Sequence, residues 1–333
     1  MKNKICVLLM LLAGQLSGQN KKPEDYGFRH LQMVFRTDTV DILIKSEKGE
    51  ENVRKPLFLF CQGSLPQPLI KLSAQGVYGV YPFYTDSLVA EYHLAIISKP
   101  YIPLIADVRT LNSDMTYRDS TTGRFPAAYS DRNHLDYYVD RNSAVIDYLL
   151  KQDFIDHKKL VVAGHSEGST IAAKLALKNK KVTHLIYASG NPLGRMQSII
   201  NQSRTTETDT DSTRYAESNF AYWQQVVTDK DNLDATHGDT YKATYDFSYP
   251  PINYLMQLKI PVLVCYGTKD IALPFNDYLR VEAIRQGKNN FTFKAYIGLE
   301  HNYFPLTETG QIDYDRFNWD TVADDWRKWA AIK

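Results

Sequence analysis

Three residues of this chain have the types and the order that acyl transfer demands: Ser166, then Asp270, then His301. A serine hydroxyl is a poor nucleophile at neutral pH. It needs a base within hydrogen-bond reach, and the base needs a carboxylate to hold its tautomer and stabilise the imidazolium. Ser166 is the centre of Gly164-His165-Ser166-Glu167-Gly168. The apolar run Leu160-Val161-Val162-Ala163 before it reads as a buried strand. Ile171, Ala172, Leu175 and Ala176 after it recur at helical spacing. A Gly-x-Ser-x-Gly at such a junction turns the chain so sharply that side chains on either flank would clash, and it leaves the hydroxyl exposed at the strand's carboxyl end. The pentamer alone is weak. Its weight comes from the strand, the helix and the downstream acid and histidine.

Asp270 follows the strand-like Pro261-Val262-Leu263-Val264-Cys265-Tyr266, at a strand's carboxyl end, where open α/β sheets put their chemistry. Pro274 is expected to fix the turn beyond it. His301 lies in Gly298-Leu299-Glu300-His301-Asn302-Tyr303, just past the run Phe291 to Ile297. The chain has 8 histidines, and no other lies beyond Asp270. The bland readings are a turn-forming aspartate and an ordinary loop histidine. Glu300 is a weaker alternative acid, being adjacent to the histidine. His165 reads as a packing residue whose side chain points away from that of Ser166. Acyl transfer also needs donors for the developing oxyanion. The backbone N–H of Glu167 is one. The N–H of Ser64, in Gln62-Gly63-Ser64 after an early strand, is the other, with Gly63 allowing close approach of the backbone. The Glu167 side chain reads as structural, an acid in a helix's first turn complementing its dipole.

The elements that must position these residues alternate along the chain. Phe28 to Arg36 and Val40 to Ile44 read as a leading strand pair. Leu57-Phe58-Leu59-Phe60-Cys61 and His93-Leu94-Ala95-Ile96-Ile97 are near-continuous apolar runs, as strands buried on both faces should be. Leu135, Val139, Ile146, Leu149 and Leu150 form a helix face. Val182 to Ala188, Ile260 to Tyr266 and Phe291 to Ile297 read as later strands. A final helix carries Val322, Trp326 and Trp329, with Asp320 as its expected cap. This alternation predicts an α/β fold with a mostly parallel sheet covered on both faces. Residues 109–133 and 191–253 interrupt it. The longer segment opens with a polar tract over Ser203 to Ser218, for which mobility is one reading, and continues through Phe220, Tyr222, Trp223, Tyr241, Tyr245 and Tyr249. An insertion of that length is usually a lid, a binding loop or a disordered segment. Its aromatic content favours a lid, and hints at a pocket for an aromatic or sugar-linked acyl group.

The 333 residues suffice for a large core, and 44% hydrophobic with 23% charged residues is ordinary for a globular protein. A formal net charge of +1 gives no general pull toward nucleic acid or anionic membrane. The 23 tyrosines suit a partly wet pocket wall or, equally, a core. Residues 1–18 resemble a secretory signal: Lys2 and Lys4, the apolar Ile5 to Ala13, and small residues before a cut near Gly18. An uncleaved anchor is the alternative. Cys6 lies inside the apolar run, so no lipobox follows. The expected location is secreted or periplasmic, without stable membrane insertion after cleavage. Cys61 and Cys265 are expected to be unpaired buried thiols.

With these residues in view, the chain resembles the α/β-hydrolase superfamily. The resemblance runs from about Phe28 to Lys333, on Gln62-Gly63, Gly164-His165-Ser166-Glu167-Gly168, Tyr266-Gly267-Thr268-Lys269-Asp270 and Gly298-Leu299-Glu300-His301. It is similar to secreted bacterial members near the dienelactone-hydrolase and prolyl-oligopeptidase-like serine esterases. The resemblance implies an eight-stranded sheet with one antiparallel strand, a core of residues 26–190 and 254–333, and a cap at 191–253 after the sixth strand. Many members have His-Gly where this chain has Gln62-Gly63. The expected activity is hydrolysis of carboxylic esters in a small-molecule or acylated substrate, with no cofactor and no metal. A peptidase or amidase with the same triad is the near alternative, and a non-catalytic binding protein the distant one. The oligomeric state is not legible.

Overall fold

A computed structural model describes residues 21–210, 212, 214–235 and 238–332. The signal-like residues 1–18 lie outside them. The strands are β1 (Arg29–Phe35), β2 (Asp38–Lys45), β3 (Lys55–Cys61), β4 (Ile70–Ser73), β5 (Gly76–Tyr78), β6 (His93–Ile97), β7 (Ile105–Asp107), β8 (Ile155–His165), β9 (His184–Ala188), β10 (Val262–Gly267) and β11 (Phe291–Tyr296). The helices are α1 (Asp86–Val89), α2 (Ala127–Arg132), α3 (Leu135–Leu149), α4 (Glu167–Lys178), α5 (Arg195–Thr206), α6 (Tyr215–Thr228), α7 (Tyr241–Ser248), α8 (Ile252–Leu255), α9 (Leu273–Arg285) and α10 (Trp319–Ile332).

Eight strands form one sheet in the order β1-β2-β6-β3-β8-β9-β10-β11. Only β2 runs against the rest: it pairs antiparallel with both β1 and β6, and the pairs from β6 to β11 are parallel. This is the doubly covered α/β sheet expected from the alternation. One face packs Leu57, Leu59, Val162 and Val264 against Val139, Ile146, Leu149, Ala172 and Leu175 of α3 and α4. The other packs Phe58, Phe60, Val161 and Ile186 against Val322, Trp326 and Trp329 of α10. The carboxyl ends of β3, β8 and β10 lead into the segments that bear the candidate site.

Three local readings change. Asp320 does not cap α10; it is the helix's second residue, and its Oδ1 accepts the Tyr84 amide at 2.8 Å. Pro274 lies in the first turn of α9, where its missing N–H costs nothing. A second, three-stranded sheet in the order β5-β4-β7 has no counterpart in the sequence reading.

The segment between β9 and β10 is helical. α5 runs through Thr206 and α6 begins at Tyr215, so helix covers both ends of the polar tract. Arg204 of α5 pairs with Glu207 and Glu217, at 2.9 and 2.6 Å. Met196, Ile200 and Ala216 form a small core of their own with Ile199, Tyr222 and Trp223. Trp223 stacks on Tyr245, and Tyr222 meets Tyr241 edge-on. These rings pack on one another, and none of the four lines the cavity around Ser166. Elsewhere, Tyr92, Tyr129, Tyr138, Tyr187, Tyr266 and Tyr303 are fully buried in the core. Cys61 and Cys265 are both free and buried. Burial pushes each thiol up to about 12.

Candidate active site

Ser166 sits between the end of β8 and the start of α4 with φ 57° and ψ −126°. A non-glycine residue rarely takes such a conformation and holds it only where the surroundings enforce it. The enforcement is visible in the flanking glycines. A Cβ on Gly164 would lie 2.0 Å from the Gly168 carbonyl oxygen, and one on Gly168 would lie 2.0 Å from the Cys61 carbonyl oxygen. The Ser166 amide donates to the Ala188 carbonyl at 3.0 Å, and its own carbonyl accepts the Ser169 hydroxyl at 2.6 Å. The turn is thereby tied to β9 and to the first turn of α4.

His301 Nε2 lies 3.0 Å from the Ser166 hydroxyl, and its Nδ1 lies 2.9 Å from Asp270 Oδ2. The fold therefore brings together three residues spread over 135 positions of sequence. The Asp270 carboxylate is fully buried, and its other oxygen accepts the Ala272 amide at 2.9 Å. Burial disfavours the charge on His301. The hydrogen bond and charge of Asp270, with the charge of Glu300, outweigh that cost, so the imidazole titrates above its ordinary 6.5. Glu300 is no substitute acid. Its Oε1 accepts the Asn302 and Phe304 amides at 2.8 and 3.0 Å, which folds the histidine loop back on itself. His165 Nε2 donates to the His301 carbonyl at 2.9 Å. Burial, then the neighbouring His301, pushes the His165 imidazole down to about 3. It is a neutral brace, packed edge-on against Trp319.

Ser64 follows β3 and lines the space around Ser166 and His301. Glu167 opens α4, so its N–H is among the helix-initial amides that have no intrahelical acceptor. Both residues are thus at the site's edge. A Cβ on Gly63 would meet only ordinary contacts, 3.7 Å from the Ser166 Cβ, so the protein itself does not demand glycine there. The Gln62 Nε2 donates to the Ile97 carbonyl at 2.7 Å and ties the ends of β3 and β6.

Sequence reasoning missed the surroundings of the Glu167 carboxylate. Its side chain is 5% exposed and pairs with Lys99 at 3.3 Å and with Arg195. Arg195, the first residue of α5, pairs in turn with Asp239 at 2.5 Å. Asp239 Oδ1 accepts the Asn133 amide at 3.1 Å. The result is an alternating chain of two cations and two anions running from β6 to the helical segment. Burial pulls the Lys99 ammonium below its ordinary range, against the pull of Glu167.

Two cavities meet at Ser64, Ser166 and His301. The first, about 500 Å³, lies under α5 and is bounded by Glu167, Arg195, Ser198, Gln202, Asp239 and Phe247. The second, about 460 Å³, lies toward the small sheet and is bounded by Phe60, Leu69, Lys71, Tyr81, Asn302 and Trp319. The aromatic wall hinted at by the composition of 191–253 therefore lies on the opposite side. Among the described residues no group of three or more His, Cys, Asp or Glu could hold a metal ion. Nor is any helix among them long and apolar enough to cross a membrane.

Comparison with solved structures finds the same architecture. Est1E from Butyrivibrio proteoclasticus superposes with a TM-score of 0.50 at 15% identity, covering 91% of this chain and 99% of that one. A fungal esterase structure from Rhizomucor miehei gives 0.53 at 15%, covering 91% and 81%. A candidate dipeptidyl aminopeptidase IV from Bacteroides ovatus gives 0.56 at 10%; it covers 94% of this chain, which spans only 37% of that one. At such identities the likeness is one of fold. No curated protein matches the chain. The family model described as alpha/beta hydrolase fold matches residues 107–305, a span that includes Ser166, Asp270 and His301. Together with the sheet order and the strained serine turn, that match identifies the chain as a member of the α/β-hydrolase fold family.

Proposed function

We propose that the chain is a secreted serine hydrolase that cleaves carboxylic esters through Ser166, His301 and Asp270. The observation that carries this reading is the relay itself, 3.0 Å from hydroxyl to imidazole and 2.9 Å from imidazole to buried carboxylate. Ser166 Oγ attacks the ester carbonyl as His301 Nε2 takes its proton. Asp270 holds the Nδ1–H and stabilises the imidazolium. The Ser64 and Glu167 amides donate to the oxyanion. His301 then returns the proton to the leaving alcohol as the C–O bond breaks, leaving an acyl-Ser166. Water, deprotonated by the same imidazole, releases the acid and restores the serine. Residues 191–253 act as the cap over the first cavity, and residues 1–18 direct export.

The test is labelling with a serine-directed fluorophosphonate together with turnover of p-nitrophenyl acetate. Both should be present in the wild type and lost in Ser166→Ala at unchanged melting temperature. Labelling that persists in Ser166→Ala would overturn the assignment. Matched ester and aminoacyl-amide substrates separate esterase from peptidase. N-terminal sequencing of the exported protein checks the cut near Gly18.

A further inference from the structure

The second cavity holds a cation that the protein leaves unneutralised. Lys71 projects from β4, whose neighbours Ile70 and Leu72 are buried on the other face. Its Nζ donates to the Pro68 carbonyl at 3.2 Å, and no carboxylate of the described residues lies within ion-pair distance of it. Lys71 is half-buried, and the two fully buried lysines of the described residues are both paired: Lys55 with Glu50 at 2.5 Å, and Lys99 with Glu167 at 3.3 Å. Burial alone pulls the Lys71 ammonium below its ordinary range, with no anion to oppose the shift. A partly desolvated ammonium at a cavity, with two donors unspent, is poised for an anion. Nearby, the Tyr81 hydroxyl is buried without a hydrogen-bond partner. The cavity that Lys71 shares with Ser166 is also lined by Phe60, Leu69, the Tyr81 ring and Trp319.

We infer that the second cavity takes the arm of an ester substrate that ends in a carboxylate, with Lys71 as its charge partner and the aromatic wall packing the spacer. This rests on the hydrolase reading above and adds the substrate class. The first cavity does not compete for that role, because the Arg195 guanidinium already faces Glu167 and Asp239.

The test uses two pairs of esters that differ only in charge. Mono-p-nitrophenyl glutarate and its terminal carboxamide put the charge on the acyl side. 3-Carboxyphenyl acetate and 3-carbamoylphenyl acetate put it on the alcohol side. In one pair the wild type should favour the carboxylate by about tenfold in kcat/KM, mostly through KM. Lys71→Met should remove that preference while leaving turnover of the neutral esters intact, and Lys71→Arg should keep it. Turnover of the neutral esters also reports that each variant is folded. If neither pair favours the carboxylate, or if Lys71→Met keeps the preference, the inference fails while the hydrolase reading stands. If no ester of the four is cleaved in a Ser166-dependent way, the hydrolase reading itself fails.

Discussion

The two cavities that meet at Ser166 are nearly equal in volume and opposite in electrostatic finish. In the one under α5, Lys99, Glu167, Arg195 and Asp239 alternate in sign and satisfy one another. In the one beside β4, Lys71 has only a carbonyl and the Tyr81 hydroxyl has nothing. A charge that the protein matches holds elements together; a charge that it leaves unmatched is available to something else. The first cavity thus joins the helical segment to the sheet, and the second is the side on which chemistry outside the chain can be recognised.

The largest effect should be common to both sides. Ser166→Ala should lower kcat/KM by about 10⁴- to 10⁶-fold for every ester, whichever cavity it occupies. A substrate class that escaped this loss would mean that the cavities do not share one centre. Asp270→Asn should follow, at about 10⁴-fold. His301 must be neutral to accept the serine proton, and its folded pKa is raised above 6.5. Activity of the wild type should therefore rise with pH through an inflection above 6.5. In Asp270→Asn, where the anion that favours the imidazolium is gone, that inflection should move to lower pH. A pH–rate profile of kcat/KM that stays in place would remove Asp270 from the relay.

Arg195→Ala tests the matched side. It strands the buried Glu167 carboxylate with Lys99 alone and leaves Asp239 without its cation. Breaking a buried pair costs about 3–5 kcal/mol, and the lower end applies here because Asp239 is 39% exposed. Urea unfolding, with limited proteolysis around residues 207–214, should register the loss. An unchanged midpoint would mean that the charge chain does not join the helical segment to the sheet. The smallest effect belongs to the unmatched side. Tyr81→Phe removes a hydroxyl that has no partner, so stability should be unchanged or rise by up to about 1 kcal/mol. A clear fall in melting temperature would show that the hydroxyl is satisfied in solution.

What was legible in the sequence follows the range of the forces involved. Leu160-Val161-Val162-Ala163 announces a strand because a doubly covered strand must be apolar throughout, and His93 to Ile97 does so for the same reason. Asp270 and His301 were legible because the relay fixes their order and their places at strand ends. The small sheet was not, because β4, β5 and β7 are only three or four residues long, and β7 joins the β4–β5 hairpin from 35 positions away. Arg195 carried no signal either. It stands 28 residues from Glu167, and only the fold makes them neighbours. Lys71 reads as an ordinary strand lysine until the missing carboxylate can be seen in space. The tyrosines and Trp223 of 191–253 misled for a simpler reason. Composition records that rings are present, and only packing decides that Trp223 faces Tyr245 rather than a ligand.

The two glycines beside Ser166 constrain the lineage of this protein more tightly than the serine does. Replacing the hydroxyl by a hydrogen removes an activity and leaves every backbone contact in place. Adding a methyl at Gly164 or Gly168 drives an atom to 2.0 Å from a backbone carbonyl oxygen, that of Gly168 in α4 or of Cys61 at the end of β3. A descendant freed from catalysis could shed Ser166 by a single change and still fold. It could shed neither glycine. In relatives that have abandoned hydrolysis, the pair of glycines four positions apart should therefore outlive the nucleophile it once exposed, a fossil of the turn without its purpose.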